Sequence, residues 1–240
     1  MPAIDARRER DLQAYAQEVS AALGDACVGV VLYGSAAGVD WIPGRSDINI
    51  AIVLRRASVE ALDALAPVIA RWRPKAFALP VILDDTQVEH ARLLFPMELD
   101  DIKHQHRVLA GKDPFADIAT DEAALSRECA QEGFGKLLRL RAHYLEHSRD
   151  PAALERMMTE SLKSFLTVVR HLLRLRGSAV PHAYDATLTA GEAVVGALPA
   201  MRQVLAHRVE SVKGARLHAL AGPYVAEVER VVAAVAAFCG

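Results

Sequence analysis

The order of apolar and polar positions changes character once along this chain. Between Ile4 and Leu23, the residues Leu12, Tyr15, Ala16 and Val19 recur at helical spacing and predict an amphipathic helix. "CVGVVLYG", from Cys27 to Gly34, is a short β-branched run ending at glycine, the pattern of a buried strand. "SDINIAIVL", from Ser46 to Leu54, predicts a second strand, on which Asp47 and Asn49 share a face because side chains alternate. A helix follows over "SVEALDALAPVIARW", with Ser58 as N-cap and Glu60 in its first turn. "KAFALPVIL" predicts a third strand, restricted by Pro80 to an edge or a bulge. "DDTQVEHARLLFP" then reads as a helix, and "HQHRVLAG" as a short fourth strand or turn leading into "KDPF".

From Thr120 onward the period is helical almost throughout, broken at "HSRDPAA", "RLRGSAVPHAY", "GALPAM" and "KGARLHALAGPY". Asp150-Pro151 has the form of an N-cap followed by proline at the first helical position, and Gly177 the form of a helix stop. Four or five helices result, consistent with a bundle. The expected architecture is α+β: a mixed sheet with helices over residues 1–118, then an all-helical bundle domain over 119–240.

The chemistry of the first part centres on "YGSAAGVDWIPGRSDIN". Nucleotidyl transfer needs donors that cradle a triphosphate, and backbone amides after a glycine turn supply them. It needs hard oxygen ligands for magnesium, and two ions stabilise the attacking and leaving oxygens of an in-line displacement. It also needs a group to take the proton of the attacking hydroxyl. Gly34-Ser35 at a strand end, with Ser46 and Asp47 entering the next strand, matches the first two demands. The competing reading is a plain strand–loop–strand connection in which Asp47 only caps a strand.

On these residues the chain resembles the nucleotidyltransferase superfamily, in particular the minimal nucleotidyltransferases and the aminoglycoside (streptomycin/spectinomycin) adenylyltransferases. The resemblance rests on Tyr33-Gly34-Ser35, Gly38, Gly44 and Ser46-Asp47-Ile48-Asn49, about 25 residues, and a likeness of layout extends over most of the chain. The segment "FPMELDDIKHQHRVLAGKDPF" and the helical tail also resemble bacterial nucleotidyltransferase-domain proteins. The resemblance implies transfer of an NMP from a magnesium-bound NTP, such as ATP, to a hydroxyl acceptor. Gly34, Ser35 and Ser46 would lie on the nucleotide phosphates, Asp47 and Asn49 at the metal, and the helical domain would form the other wall of a cleft.

The departures from that pattern are as informative as the matches. The family's second carboxylate is replaced by Asn49, whose amide oxygen can ligate magnesium but brings no charge. The third, the family's base position, falls at or beside Pro80, which neither ligates nor takes a proton. Asp84, Asp85, Glu98, Asp100 and Asp101 are candidate replacements, but no spacing places any of them at the site, and a solvated or helix-capping acid is the better reading of each. The catalytic residue is therefore left unassigned. A degenerate metal site with weak or absent turnover, a pseudoenzyme, is the expectation.

Other constellations compete less well. His104 and His106 would share a face on a strand and could bind a transition metal, but no third ligand stands at a recognisable spacing, and His90 beside Glu89 is no better. Arg202 with His207, and Arg141 with His147, resemble the ribonuclease motif of HEPN domains, the helical partners of minimal nucleotidyltransferases in toxin–antitoxin pairs. Solvated helix faces account for such spacings as well. Lys136, Arg139, Arg141, Arg170, Arg174 and Arg176 are expected to be solvated or paired with Glu132, Glu146 and Glu155. Trp41 and Tyr144 are available for stacking on a base, with packing the plainer role.

Composition narrows the function classes. A net charge of −2 provides no global attraction to nucleic acid or to anionic lipid, which speaks against both as partners. Cys27, Cys129 and Cys239 form no CxxC pair, the pattern of reduced thiols. The start of the chain lacks the apolar core of a signal peptide, and "VVAAVAAF" is too short to span a bilayer, so a cytoplasmic location is expected. Three readings stand: a nucleotidyltransferase; a non-catalytic module that binds a nucleotide, another anion or a protein; and a toxin–antitoxin-like or RNA-processing protein that uses the helical domain. A homodimer stays open, and the acceptor and the base are not given by the sequence.

Overall fold

The computed structural model describes residues 4–38, 41, 46–178, 180–181, 183–210 and 217–238. The chain divides into two compact units, Met1–Asp121 and Glu122–Gly240.

In the first unit a four-stranded sheet has the order β3-β2-β1-β4. The strands are β1 (Cys27–Tyr33), β2 (Asn49–Leu54), β3 (Val81–Asp84) and β4 (His106–Gly111). β1 is antiparallel to both β2 and β4, whereas β2 and β3 run parallel. The apolar runs of β1 and β2 are continuous because both faces of these central strands are covered. One face packs Val30, Leu32, Ile50 and Ile52 against α1 (Ala6–Leu23) and α2 (Val59–Trp72). The other packs Val31, Ala51 and Val53 against α3 (Asp85–Leu94), α4 (Pro96–His104) and Phe115.

Local chemistry fixes the helix ends. The Arg8 amide donates to Asp5 Oδ1 at 2.8 Å at the start of α1, and the Ala61 amide to Ser58 Oγ at 3.3 Å at the start of α2. Asp84 closes a capping box on α3 with Gln87. Helix α4 was not expected from the sequence. It starts at Pro96, whose fixed φ suits a first helical position, and its two turns hold too few apolar residues for a clear period.

Two expectations need correction. "KAFALPVIL" is not one strand: Phe77 makes an isolated bridge to Ile48, and the pairing resumes at Val81 in a register shifted by one residue. Pro80, which lacks an amide hydrogen, sits at that slip and beside the start of an edge strand. His104 and His106 do not share a strand face, because His104 ends α4 and His106 opens β4.

The second unit contains α5 (Glu122–His147), α6 (Pro151–Leu175), α7 (Tyr184–Val195), α8 (Pro199–Glu210) and α9 (Ala221–Ala236). α6 is the central helix and packs against each of the other four. From Val168 to Leu173 every one of its residues is buried, Arg170 and His171 included. Asp150 caps it through the Ala153 amide at 3.1 Å, and Gly177 ends it at φ 65°. The buried Glu227 carboxylate of α9 accepts from the Ala200 and Met201 amides at 2.8 Å each, capping α8 from a neighbouring helix. Among the described residues no helix is long and apolar enough to cross a membrane.

Gly111 gives a direct test of the β1–β4 pairing. It holds φ 79°, and a Cβ there would run into the Val28 carbonyl oxygen. Gly111→Ala should therefore lower the unfolding free energy by roughly 2–4 kcal/mol, strain and overlap together. Gly177→Ala, with positive φ but open space, should cost about 1–2 kcal/mol. Urea denaturation of both variants measures the difference.

Candidate functional site

Because β1 runs antiparallel to both neighbours, the end of β1 lies beside the starts of β2 and β4. Tyr33 is directly opposite Asn49 on one side and His106 on the other. Cross-strand partners project from the same face, so Asn49, Tyr33 and His106 form a row across the sheet edge. The chain leaves this row through a single turn of 3-10 helix, Gly34–Ala37.

Gly34 holds φ 73°, a left-handed conformation that a side chain rarely adopts. A Cβ at Gly34 would lie 3.1 Å from Asn49 Nδ2, so the Asn49 carboxamide rests on the backbone of the turn. Ser35 is 8% exposed, and its Oγ has no hydrogen-bond partner among the described residues. Gln105 lies across Gly38 with no room for a Cβ between them, and its Nε2 is likewise buried without a partner. Two buried donors without acceptors, beside one glycine turn, are costly unless a further group meets them.

Ser46 is half-buried and Asp47 exposed, both ahead of the first residue of β2. Gly44, Cys239 and most of the "PGRS" stretch lie outside the described residues. Pro80 follows the exposed Leu79, and neither offers a ligand atom. Asp84 pairs with Leu54 at the opposite end of β2 from Asn49, about 15 Å along the strand, and is spent on capping α3. Asp85 is the first residue of α3. Asp100 is buried, accepts from Thr120 Oγ1 at 2.9 Å and has His104 Nδ1 at 3.4 Å, while Asp101 is on the same helix.

Of the five candidate acids, the structure ties Glu98 to the row: the Tyr33 hydroxyl donates to its Oε1 at 2.9 Å. Burial pushes the Tyr33 phenol up, and the Glu98 charge pushes it further the same way. On the other flank His106 Nε2 lies 2.9 Å from Asp113 Oδ2, and the Phe115 amide donates to Asp113 Oδ1 at 2.9 Å. These pairs escaped the sequence reading because Tyr33 and Glu98 are 65 residues apart and no local pattern joins them.

The donor set does not fit a two-magnesium centre. Among the described residues it offers the exposed Asp47 and the neutral amide of Asn49, with Glu98 already bonded to the Tyr33 hydroxyl, where such a centre needs several free charged oxygens. Among the described residues no three His, Cys, Asp or Glu side chains are grouped to hold a metal ion.

Most of the remaining candidates are engaged elsewhere. Trp41 is 6% exposed in the core under α1, with the Arg8 guanidinium 5.9 Å from its ring centre, so its faces are not open to a base. Tyr144 is half-buried on α5. Arg202 is bound to Asp185 and Glu192 at 2.6 and 2.8 Å. Arg141 pairs with Glu229 rather than with the glutamates expected from the sequence. Lys136 does pair with Glu132, whereas Glu146 meets His147 and Glu155 meets His218. The guanidinium of Arg176 lies over the Phe238 ring, and Arg170 and Arg174 are in the packed part of α6.

No protein-family model and no curated protein matches the sequence of this chain. Among solved structures it is similar to spectinomycin adenyltransferase AAD(9) from Enterococcus faecialis, solved with ATP and spectinomycin. The TM-score is 0.55 at 15% identity, covering 92% of this chain and 98% of that one. The chain has the fold of that adenyltransferase. The likeness extends over the sheet and the helical part, so the α+β architecture with a helical bundle is shared with that structure. At this identity it establishes the fold, and chemistry has to be argued from the site.

The Asp113 carboxyl provides a test of the site's geometry. Burial pushes it up, but the His106 and Phe115 hydrogen bonds and the His106 charge outweigh that and hold it below the usual carboxylate range. A depressed carboxyl contributes stability above its unfolded pKa and loses it as pH falls through the folded one. Carboxyl-detected NMR should therefore show Asp113 ionised until pH falls below the ordinary aspartate range. His106→Gln should move its midpoint upward, and an unchanged midpoint would show that the pairing does not operate.

Proposed function

We propose that this chain is a nucleotidyltransferase-like protein that binds a nucleotide at the end of its sheet and transfers an NMP weakly or not at all. The reading assigns residues 1–118 to a nucleotidyltransferase-like domain and residues 119–240 to a helical bundle domain. The observation that carries it is the Gly34–Ser35 turn. It has a left-handed glycine, a buried Ser35 hydroxyl without an acceptor, and a carboxamide rather than a carboxylate resting on it.

The turn and its side chains suit a phosphate. Ser35 Oγ and the turn amides donate, Ser46 adds a second hydroxyl, and Asn49 presents an amide that does not repel an anion. A carboxylate at position 49 would repel phosphate unless a cation lay between them. An asparagine there removes both the repulsion and much of the cation's hold, leaving Asp47 as the single charged ligand. No base stands at Pro80, so an acceptor hydroxyl finds no proton acceptor at the family position. The fold neighbour was solved with ATP, which supports ATP as the first ligand to test. The engagement of Arg202 and Arg141 in ion pairs favours this reading over RNA cleavage by the helical domain.

Thermal-shift measurements with NTPs, with and without magnesium, test the reading. A ligand at ten times its Kd adds about 1.4 kcal/mol, a rise in Tm of roughly 3–5 °C. ATP should raise Tm by a similar amount with and without magnesium, and Ser35→Ala should reduce the rise. Asn49→Asp combined with Pro80→Glu should make the rise depend on magnesium. Pyrophosphate release with spectinomycin or streptomycin should stay at background. Efficient adenylylation of either by the unaltered chain would overturn the degenerate site, and no shift with any NTP would overturn nucleotide binding.

A further inference from the structure

Away from the sheet, the helical unit contains a cavity of about 290 Å³ between α5 and α6. That volume is at the lower edge of small-molecule sites, enough for one ring and its substituents. Its walls are two facing stripes at helical spacing. α5 contributes Lys136, Arg139 and His143, and α6 contributes Glu160 and Ser164, with Ser161 between them. The floor is apolar, formed by Leu140, Met157 and Phe165, each under 8% exposed.

The polar groups on these walls differ in what they have left to offer. Lys136 is paired with Glu132, and Ser161 is bonded to the Tyr224 hydroxyl at 2.9 Å. Arg139 has no ion-pair partner among the described residues, although Glu160 stands on the opposite wall of the same cavity. Ser164 and Glu160 likewise have no hydrogen-bond partner there. The His143 ring meets the His147 ring edge-on, with centres 6.2 Å apart. An unpaired guanidinium and an unpaired carboxylate, held apart over an apolar floor, describe the two ends of a ligand.

We infer that this cavity binds a ring-sized organic anion that also carries a hydroxyl or amine donor. The anionic group, a carboxylate or phosphate, lies on Arg139 and accepts hydrogen bonds from a His143 ring N–H and the Ser164 hydroxyl. The donor points at Glu160, and the ring covers Leu140, Met157 and Phe165. A fixed guanidinium fork suits a planar carboxylate or a phosphate better than a point charge does. Polycationic aminoglycosides are disfavoured here, because Arg139 and Lys136 stand on the wall that they would face. The inference is independent of the nucleotide reading.

The test uses the full chain labelled with 13C at methionine methyls, with Met157 assigned by Met157→Leu. 4-Hydroxybenzoate and phenyl phosphate should each shift the Met157 methyl in a saturable way. Tyramine, with the same ring and the opposite charge, should not, and neither should spectinomycin. Arg139→Glu, an exposed substitution whose fold is checked by circular dichroism, should weaken anion binding roughly ten- to a hundredfold, and Arg139→Lys should weaken it less. A flat response to both anions, a stronger response to tyramine or spectinomycin, or unchanged binding in Arg139→Glu would each overturn the inference. A Met157 shift on adding ATP equal to that of the anions would overturn it too, by making this cavity a nucleotide site.

Discussion

The antiparallel pairing of β1 with strands on both sides is the constraint on which the first unit depends. Val30 to Leu32 are buried on both faces, so β1 can neither shift register nor leave the sheet without exposing a core. That pairing puts Tyr33 opposite Asn49 and His106, and it requires the chain to turn at once beyond Tyr33. Gly34 makes the turn in a conformation open chiefly to glycine. The row, the turn and the buried Ser35 hydroxyl all follow from the position of one strand.

What the row can do depends on which charges reach it. Asn49 supplies none, and Pro80 lies where the third strand slips by one residue. Two acids reach the row among the described residues, Glu98 through the Tyr33 phenol and Asp113 through the His106 ring. A site with this inventory can receive an anion more readily than it can assemble two cations around one. The fold it shares with an adenyltransferase does not fix the chemistry, because the sheet depends on apolar side chains and adenylyl transfer on a few carboxylates.

In the helical unit, polar groups are largely committed to structure. Glu227 caps a neighbouring helix, Arg202 ties α8 to α7, and Arg141 ties α5 to α9. Against that background Arg139 and Glu160, which have no ion-pair partner among the described residues and line one cavity, differ from the arginines that the sequence made equally eligible. Arginine content alone did not separate them. Partnership did.

The sequence by itself determined the strands β1 and β2, the capped helices α1, α2 and α6, and the change to helical structure in the second half. Each of these is a local pattern: apolar alternation, a Ser58 or Asp150 cap, a glycine stop. It also showed a resemblance of Gly34, Ser35 and Asp47 to a nucleotidyltransferase motif, from which Asn49 and Pro80 depart. It missed α4, whose nine residues carry too weak a period, and it read "HQHRVLAG" as one strand or turn where His104 in fact ends a helix. Only the tertiary structure decided that Glu98 bonds Tyr33, that Asp113 pairs with His106 and that Glu227 caps α8. These contacts join residues that no periodicity relates, and they form only when separate elements pack. Local sequence sets which backbone conformations are favourable; which charge meets which is settled by the packing of the whole core.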